Sequence, residues 1–262
     1  MTLRRLPSPA LLLALPLLLA ACTERSPSSG PSGSPSSPAA PPEAPPPAKQ
    51  GTIEGVVRFK GKEPLPLQVA IPAELTLQCG ELVQQPRVMV GKGGVLAEVV
   101  VSVADAQGPL SAAPAPPPID QYGCTFSPRV VAAAKGAQLT MINSDSLMHN
   151  VRSASGTDRP FNVAMPITGM KIQVPVASRS VVTRVTCDVH PWMVAMVHSF
   201  DHPYFAVTGE EGRFTIRGAP AGKGVLRLWH PFLGQRKFEV EVPEGGVARP
   251  QIDWPGPEAA KR

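Results

Sequence analysis

The sequence predicts an all-β protein. It contains 33 prolines and 23 glycines among 262 residues, well above the share of about 12% in ordinary proteins. Both residues destabilise helix interiors, and no long run keeps a helical 3.6-residue period. Short segments of alternating or β-branched apolar residues lie between turn-forming residues, which is typical of a β-sandwich or barrel.

The predicted strands begin where the composition changes at Gly51. The first, 52–59, alternates and is rich in β-branched residues, and the second, 95–103, is more continuously apolar and so expected to be buried. The remaining predicted strands are 129–133, 138–142, 171–176, 181–186, 194–197, 205–207, 213–216, 225–229 and 237–242.

The N-terminal residues, 1–21, are predicted to be an export signal. Arg4 and Arg5 precede a short apolar stretch, 11–19, whereas a spanning helix needs about 20 apolar residues. Small residues then precede Cys22, a pattern that resembles a bacterial lipobox. The resemblance implies that Cys22 is lipidated and anchors the chain to a membrane. A plain secretory peptide is the alternative.

Residues 22–50 are predicted to hold the lipidated cysteine and a disordered tether, with nine prolines among residues 24–50. Thr23 follows Cys22, and in the lipoprotein resemblance a residue other than Asp favours the outer membrane. The folded body is therefore expected in the cell envelope, facing the periplasm or the exterior. The formal net charge of +5 comes without any block of like charge, so nucleic-acid binding is not expected.

One constellation of residues predicts metal chemistry. Cys187, His190 and Met193 lie within seven residues, directly after a predicted strand, and His149 comes 38 residues before Cys187. A thiolate, two imidazoles and a thioether are the donors of a blue-copper site, in which methionine is the weak axial ligand. Folding must bring His149 to the other three across the sandwich.

The spacing C-x2-H-x2-M, with Pro191 after the histidine, resembles the ligand loop of cupredoxins and is most similar to that of amicyanin. The resemblance covers about residues 120–197 and implies a Greek-key β-sandwich over 51–197 with one type 1 copper ion. The implied ligands are His149, Cys187, His190 and Met193. It also implies that hydrogen bonds of Asn150 tie the two ligand loops together.

Other interpretations of the constellation stay open. Zinc normally takes four strong nitrogen or sulfur ligands and usually no methionine. A Cys–His nucleophile pair needs an orienting third group, and Asp188 is poorly placed for that role, so we expect that the protein is not an enzyme. His198, His202 and His230 have no spacing that predicts a site.

Cys79 and Cys124 lie outside the ligand pattern, each beside a glycine. We predict that they form a disulfide, because two free thiols are not expected in an oxidising compartment. Such a bridge would stabilise the fold by roughly 4 kcal/mol in the chain-entropy model. It would also leave Cys187 free to bind a metal.

Residues 198–250 resemble a carboxypeptidase regulatory-like, transthyretin-type β-sandwich, through Gly-rich turns at 208–212 and 218–222 and the apolar run 225–228. Residues 51–66 resemble the first strand of the same module. These residues are assigned to the cupredoxin-like domain, with pairing to the C-terminal unit as the other arrangement. Residues 251–262 are assigned to a tail. Modules of this kind elsewhere serve structure or interaction.

Together these patterns predict a membrane-tethered type 1 copper protein that exchanges single electrons with an unidentified redox partner protein. The alternative is a lipoprotein that binds a carbohydrate or protein ligand, or that stores copper or hands it on.

Overall fold

The computed structural model describes residues 49–256. The predicted export signal, Cys22, all but the last residues of the tether, and residues 257–262 lie outside the described residues. Within 49–256, none of the helices has the length and apolar character needed to cross a membrane.

The regular secondary structure of residues 49–256 is almost entirely β-strand, which confirms the predicted all-β fold class. The helical segments are two 3-10 turns, Ala73–Leu75 and Leu110–Ala112, and one short helix, α1 (Thr76–Cys79). The strands are β1 (Gln50–Lys60), β2 (Leu67–Ala70), β3 (Leu82–Gln85), β4 (Val100–Val103), β5 (Ile119–Tyr122), β6 (Thr125–Ser127), β7 (Val130–Ala134), β8 (Gln138–Asn143), β9 (His149–Ser155), β10 (Asn162–Met165), β11 (Lys171–Pro175), β12 (Val182–Thr186), β13 (Val194–Phe200), β14 (Phe205–Val207), β15 (Arg213–Pro220), β16 (Gly222–His230), β17 (Gly234–Val242), β18 (Val247–Ala248) and β19 (Gln251–Pro255).

A first β-sandwich is built from the two ends of the described chain. Strand β1 pairs antiparallel with β15 and parallel with β18 and β19, and a second sheet has the order β14-β4-β16-β17. Because side chains alternate along a strand, Ile53 and Phe59 of β1 both point inward and are buried. They share one apolar core with Phe214, Leu226 and Trp254. We call this unit the scaffold sandwich.

A second β-sandwich is formed by β5 to β13. One sheet has the order β10-β9-β12-β13-β7 and the other β11-β8-β5-β6. Both contribute to one core, which includes Ile119, Phe126, Met141, Val151 and Val185. The predicted metal ligands lie in the β12–β13 connection and at the first residue of β9, directly after the β8–β9 connection. We call this unit the ligand sandwich.

Several elements differ from those that the sequence predicts. Strand β1, assigned to the ligand-bearing domain with pairing to the C-terminal unit as the other arrangement, takes that other arrangement and pairs with β15. Residues 251–255, assigned to a tail, form β19 alongside it. Predicted strand 95–103 becomes the shorter β4, because Glu98 has a left-handed backbone with φ 61° that interrupts the strand. Residues 67–85, for which no strand is predicted, contain the β2–β3 hairpin.

Candidate metal centre

Cys187, His190 and Met193 lie in the connection between two paired strands. The ladder of β12 and β13 closes at Thr186 opposite Val194, so the hairpin loop is residues 187–193. The N–H of Met193 donates to the carbonyl of His190 over 2.8 Å, and the N–H of Cys187 faces the carbonyl of Met193 at 3.4 Å. These contacts fold the loop tightly and turn the side chains of Cys187 and His190 toward one point.

His149 is positioned by the connection between β8 and β9. Asn143 at the end of β8 is fully buried, and its amide nitrogen donates to the carbonyls of Met165 at 2.8 Å and Leu147 at 3.0 Å. Its side-chain oxygen accepts the N–H of Asp145 at 3.0 Å. Asn143 therefore holds the loop shape that delivers His149 as the first residue of β9.

The structure brings together three of the four predicted ligands through their donor atoms. The Nδ1 atoms of His149 and His190 are 2.9 Å apart. The Sγ of Cys187 lies 3.9 Å from Nδ1 of His149 and 3.8 Å from Nδ1 of His190. Both imidazoles are 0% exposed and the thiol is 1% exposed. We call these three atoms the donor triangle.

Asp145, which sequence reasoning did not select, fixes the orientation of His149. Its Oδ2 lies 2.8 Å from Nε2 of His149. A carboxylate accepts hydrogen bonds, so His149 presents Nε2–H to Asp145 and turns Nδ1 to the triangle. The same carboxylate accepts the N–H groups of Gly123 at 2.7 Å and Cys124 at 2.9 Å. The sequence signal for this role was an acid four residues before a ligand histidine.

The electrostatics of the triangle favour a thiolate. Burial alone would raise the pKa of Cys187, but hydrogen bonds to His149 and His190 and from the N–H of Asn150 lower that pKa to about 6. Burial would likewise lower the pKa of His149, whereas hydrogen bonds to Cys187 and Asp145 outweigh it and raise the pKa overall. A deprotonated sulfur is the form that binds metals.

Asn150 connects the two ligand loops, as the cupredoxin resemblance implies. Its backbone N–H points at Sγ of Cys187 over 3.4 Å. Its side-chain oxygen accepts the N–H of Asp188, and its amide nitrogen donates to Asn162 at 2.7 Å. These bonds hold the sulfur at a fixed distance from β9.

The donor triangle fits a copper ion. A metal about 2.0–2.1 Å from each nitrogen and about 2.3 Å from the sulfur separates nitrogen from sulfur by roughly 3.8 Å at an angle of about 120°, which agrees with the observed 3.8 and 3.9 Å. The two nitrogens, 2.9 Å apart, would subtend an angle of only about 90° at the same metal, so the three donors fit a distorted arrangement. Two imidazoles with one thiolate are the equatorial donors of blue-copper sites. Met193 is buried in the same core cluster as Cys187.

A cover formed by the β2–β3 hairpin and the disulfide lies over His190. Cys79 and Cys124 are joined by a disulfide. Trp192 stacks at a tilt on His190, with ring centroids 5.3 Å apart, and its indole N–H donates to the carbonyl of Cys124 at 3.0 Å. The side-chain amide of Gln85 on β3 also donates to the carbonyl of Trp192. These contacts explain why His190 is completely buried.

The other three histidines do not join the donor triangle within residues 49–256. His198 stacks on Phe200 with centroids 4.3 Å apart, and burial lowers the pKa of His198 to about 4. His202 accepts the N–H of Tyr204 at 3.1 Å. His230 caps the turn that follows β16 by accepting two backbone N–H groups. All three act as local packing and hydrogen-bonding groups.

No family model matches the chain, and no curated protein sequence matches it. Among solved structures, a copper-containing nitrite reductase from Thermus scotoductus is similar over 38% of this chain at 18% identity and a TM-score of 0.30, and the chain spans 25% of that protein's length. A purple cupredoxin from Nitrosopumilus maritimus matches 29% of this chain and 82% of its own, at 28% identity and a TM-score of 0.26. Amicyanin from Paracoccus versutus matches 38% and 97%, at 15% identity and a TM-score of 0.28.

Proposed function

We propose that the protein binds one copper ion in the donor triangle and transfers single electrons as a type 1 copper protein. The observation that carries the proposal is the convergence of two Nδ1 atoms and one sulfur within 3.9 Å, all buried and contributed by two loops. Lowering of the Cys187 pKa to about 6 supports the thiolate that such a site needs.

Each residue has a defined role in this proposal. Cys187 supplies the thiolate, His149 and His190 supply imidazole nitrogens, and Met193 supplies a weak axial thioether. When bound, copper would supply the change between Cu(I) and Cu(II). Asp145 and Asn150 hold the donors where they are needed before metal arrives, so little rearrangement accompanies a change of charge.

The surface beside the ligands supports exchange with another protein. Met148, next to His149, is 48% exposed, and Val189, next to His190, is 39% exposed. Exposed apolar residues around a buried redox centre offer a docking surface for an unidentified redox partner. Electron transfer of this kind needs a fixed site near a surface, so we propose a carrier without enzymatic activity.

We place this carrier in the cell envelope. The basic residues, apolar stretch and Cys22 at the N-terminus support export and lipidation, with acyl chains anchored in the outer membrane. The Pro-rich residues that follow would let the folded body stand away from its anchor. Globomycin-sensitive processing, or mass spectrometry of Cys22, tests this placement, and an unmodified Cys22 in the mature chain contradicts it.

Copper storage or handover is a second candidate, favoured by the complete burial of His190 under the cover. A covered ligand slows loss of metal, which suits storage, whereas an exposed ligand edge shortens the path for electrons. The two candidates differ in kinetics. A carrier exchanges electrons with a soluble redox reagent faster than it loses Cu(I) to a chelator, and a storage protein does the reverse.

Spectroscopy of the purified protein with Cu(II) tests the proposed site. We expect one equivalent to produce an intense thiolate-to-copper charge-transfer band in the visible spectrum. Cys187→Ala should abolish the band, because it removes the only proposed thiolate ligand. His198→Ala, which changes a histidine outside the triangle, should keep it. A colourless wild type, or a band that survives in Cys187→Ala, contradicts the proposal.

A further inference from the structure

The disulfide is packed against the same histidine that completes the donor triangle. A ring nitrogen of His190 and the sulfur atoms of Cys79 and Cys124 all lie within 4.8 Å of one another. All three side chains are buried. Two sulfur atoms and one imidazole nitrogen at this spacing form a set of metal donors, provided that the sulfur atoms are not bonded to each other.

The ring of His190 has one nitrogen that its surroundings leave unused. Its Nδ1 faces Nδ1 of His149 and the sulfur of Cys187. Its Nε2 is buried and finds no hydrogen-bond partner among residues 49–256. Native structures rarely leave a buried ring nitrogen without a partner. We take Nε2, on the other side of the ring, as the nitrogen that faces the disulfide.

The backbone of Cys124 is fixed independently of the disulfide. Its N–H donates to Asp145 at 2.9 Å, and its carbonyl accepts the indole N–H of Trp192 at 3.0 Å. Cys79 ends the short helix α1, and its Cα lies 5.4 Å from that of Cys124. Ile71 and Val83 belong to the same buried apolar cluster as both cysteines. Reduction would therefore leave the two thiols side by side and held beside His190.

We propose that the Cys79–Cys124 disulfide is the oxidised form of a second metal site, which binds Cu(I) when reduced. A dithiol reductant gives two electrons and two protons to the sulfur–sulfur bond and becomes a disulfide itself, which leaves two thiols on the protein. Cu(I) then binds the two sulfurs and Nε2 of His190, and each thiol that binds releases its proton to solvent.

The donor set selects Cu(I) among biological metals. Thiolates are soft ligands that favour Cu(I) and zinc. Structural zinc almost always takes four ligands, whereas the described residues bring three donors to this place. The apolar neighbours Ile71, Val83 and Trp192 also suit a weakly hydrated ion of low charge.

Sharing of His190 connects this site to the donor triangle. A neutral imidazole has one lone pair, so the ring binds metal through Nδ1 in the triangle or through Nε2 at the reduced cysteines. The second site does not depend on copper in the first. The proposed function and this proposal therefore fail separately when Cys187 is removed.

Cu(I) titration of the purified Cys187→Ala protein tests the proposal. The disulfide form and a form reduced with dithiothreitol, freed of reagent under anaerobic conditions, are titrated against a Cu(I) chelator. We expect reduction to add one bound equivalent, accompanied by ultraviolet thiolate-to-copper absorption. The extra equivalent of Cu(I) should be absent from the triple variant that combines Cys187→Ala with Cys79→Ser and Cys124→Ser. In the reduced double variant Cys187→Ala with His190→Ala, the affinity for Cu(I) should be weaker by at least about tenfold. The matched control, Cys187→Ala with His202→Ala, should bind Cu(I) with unchanged affinity.

Three results would overturn the second site. Reduction could add no equivalent, the added equivalent could persist without Cys79 and Cys124, or His190→Ala could leave the affinity unchanged. Circular dichroism of the reduced protein is recorded alongside, and unfolding on reduction also overturns the proposal, since the site requires a folded cover. The visible band of Cu(II) in the wild-type protein reports on the donor triangle alone and distinguishes the two failures.

Discussion

The scaffold sandwich and the ligand sandwich are both β structures, but the ligand sandwich buries more polar side chains. The scaffold sandwich fills its core with large apolar residues such as Phe59, Phe214 and Trp254. The ligand sandwich buries Asn143 and His149 in addition to its apolar core. Burying a polar group costs free energy unless the group is hydrogen bonded. The hydrogen-bond network around Asn143, Asp145 and Asn150 therefore serves more than packing and indicates a functional site.

His230 of the scaffold sandwich and His149 of the ligand sandwich have pKa values that shift in opposite directions, whereas the pKa of His198, also in the ligand sandwich, is lowered like that of His230. In the scaffold sandwich, burial lowers the pKa of His230 to about 4, with a smaller contribution from Arg129. In the ligand sandwich, hydrogen bonds to Cys187 and Asp145 overcome burial and raise the pKa of His149. The first environment keeps a histidine neutral for packing, and the second pairs it with groups that orient it for binding.

The largest expected effect tests the scaffold sandwich. Trp254 is 1% exposed, so Trp254→Ala leaves a large cavity and should lower the free energy of unfolding by about 3–5 kcal/mol. Chemical denaturation measures this loss. The folded variant should still bind one equivalent of Cu(II) with an unchanged visible band. A band lost together with the stability would contradict the separation of roles.

The next effect concerns pH and His230. The ring is buried, and its Nδ1 accepts the N–H groups of Phe232 at 3.1 Å and Leu233 at 3.2 Å. With its pKa lowered from 6.5 to about 4, the unfolded chain binds more protons between these values. The contribution of His230 to stability should be fully present above pH 6.5 and fall by up to about 3 kcal/mol as pH drops to 4.

His230→Gln isolates this contribution. We expect the difference in unfolding free energy between wild type and His230→Gln to shrink as pH falls from 6.5 to 4, since glutamine does not titrate. Denaturant melts of the metal-free proteins at several pH values measure it. A difference that stays constant with pH would show that the buried ring does not titrate as described.

The third expected effect concerns copper affinity and the orientation of His149 by Asp145. Asp145→Asn keeps the size of the side chain but removes the charged acceptor that orients His149, so copper affinity should fall about 10- to 100-fold. Competition with a Cu(II) chelator measures the affinity. The control is Asp253→Asn in the scaffold sandwich, where an exposed carboxylate faces Lys60 at 3.7 Å. Equal effects in the two variants would contradict the role of Asp145.

The smallest effect is expected at the surface of the ligand loops. Arg152 and Asp188 form an exposed ion pair at 2.7 Å. Exposed pairs contribute about 0–1 kcal/mol, so Arg152→Ala should change stability by no more than that, and less at high salt. A larger loss would mean that Arg152 also orients Asp188 for its hydrogen bond with Asn150.

The sequence pattern predicted where individual strands lie but not how they pair. Alternation predicted β1, β8 and β12 within about one or two residues. It could not predict which strands pair: β1 meets β15 and β19, more than 150 residues away along the chain. The β2–β3 hairpin was missed because residues 67–85 are largely exposed and lack a clear alternation.

The candidate site was predicted in the same way. The spacing of Cys187, His190 and Met193 reflects a short hairpin loop, which a sequence shows directly. The role of Asp145 depends on a contact with the opposite side of the His149 ring, and the burial of His190 depends on a cover contributed by the distant Cys79 and Gln85. The contact of Asp145 left a local signal, an acid four residues before a histidine, whereas the cover arises from the packing of remote segments and leaves no local pattern.

X-ray absorption at the copper edge of the purified, Cu(II)-loaded protein tests the central claim most directly. We expect one short copper–sulfur bond and two copper–imidazole bonds, because one sulfur and two Nδ1 atoms converge in the donor triangle. The sulfur signal should vanish in Cys187→Ala. A wild-type spectrum with only nitrogen and oxygen neighbours would contradict copper binding by Cys187 in the donor triangle.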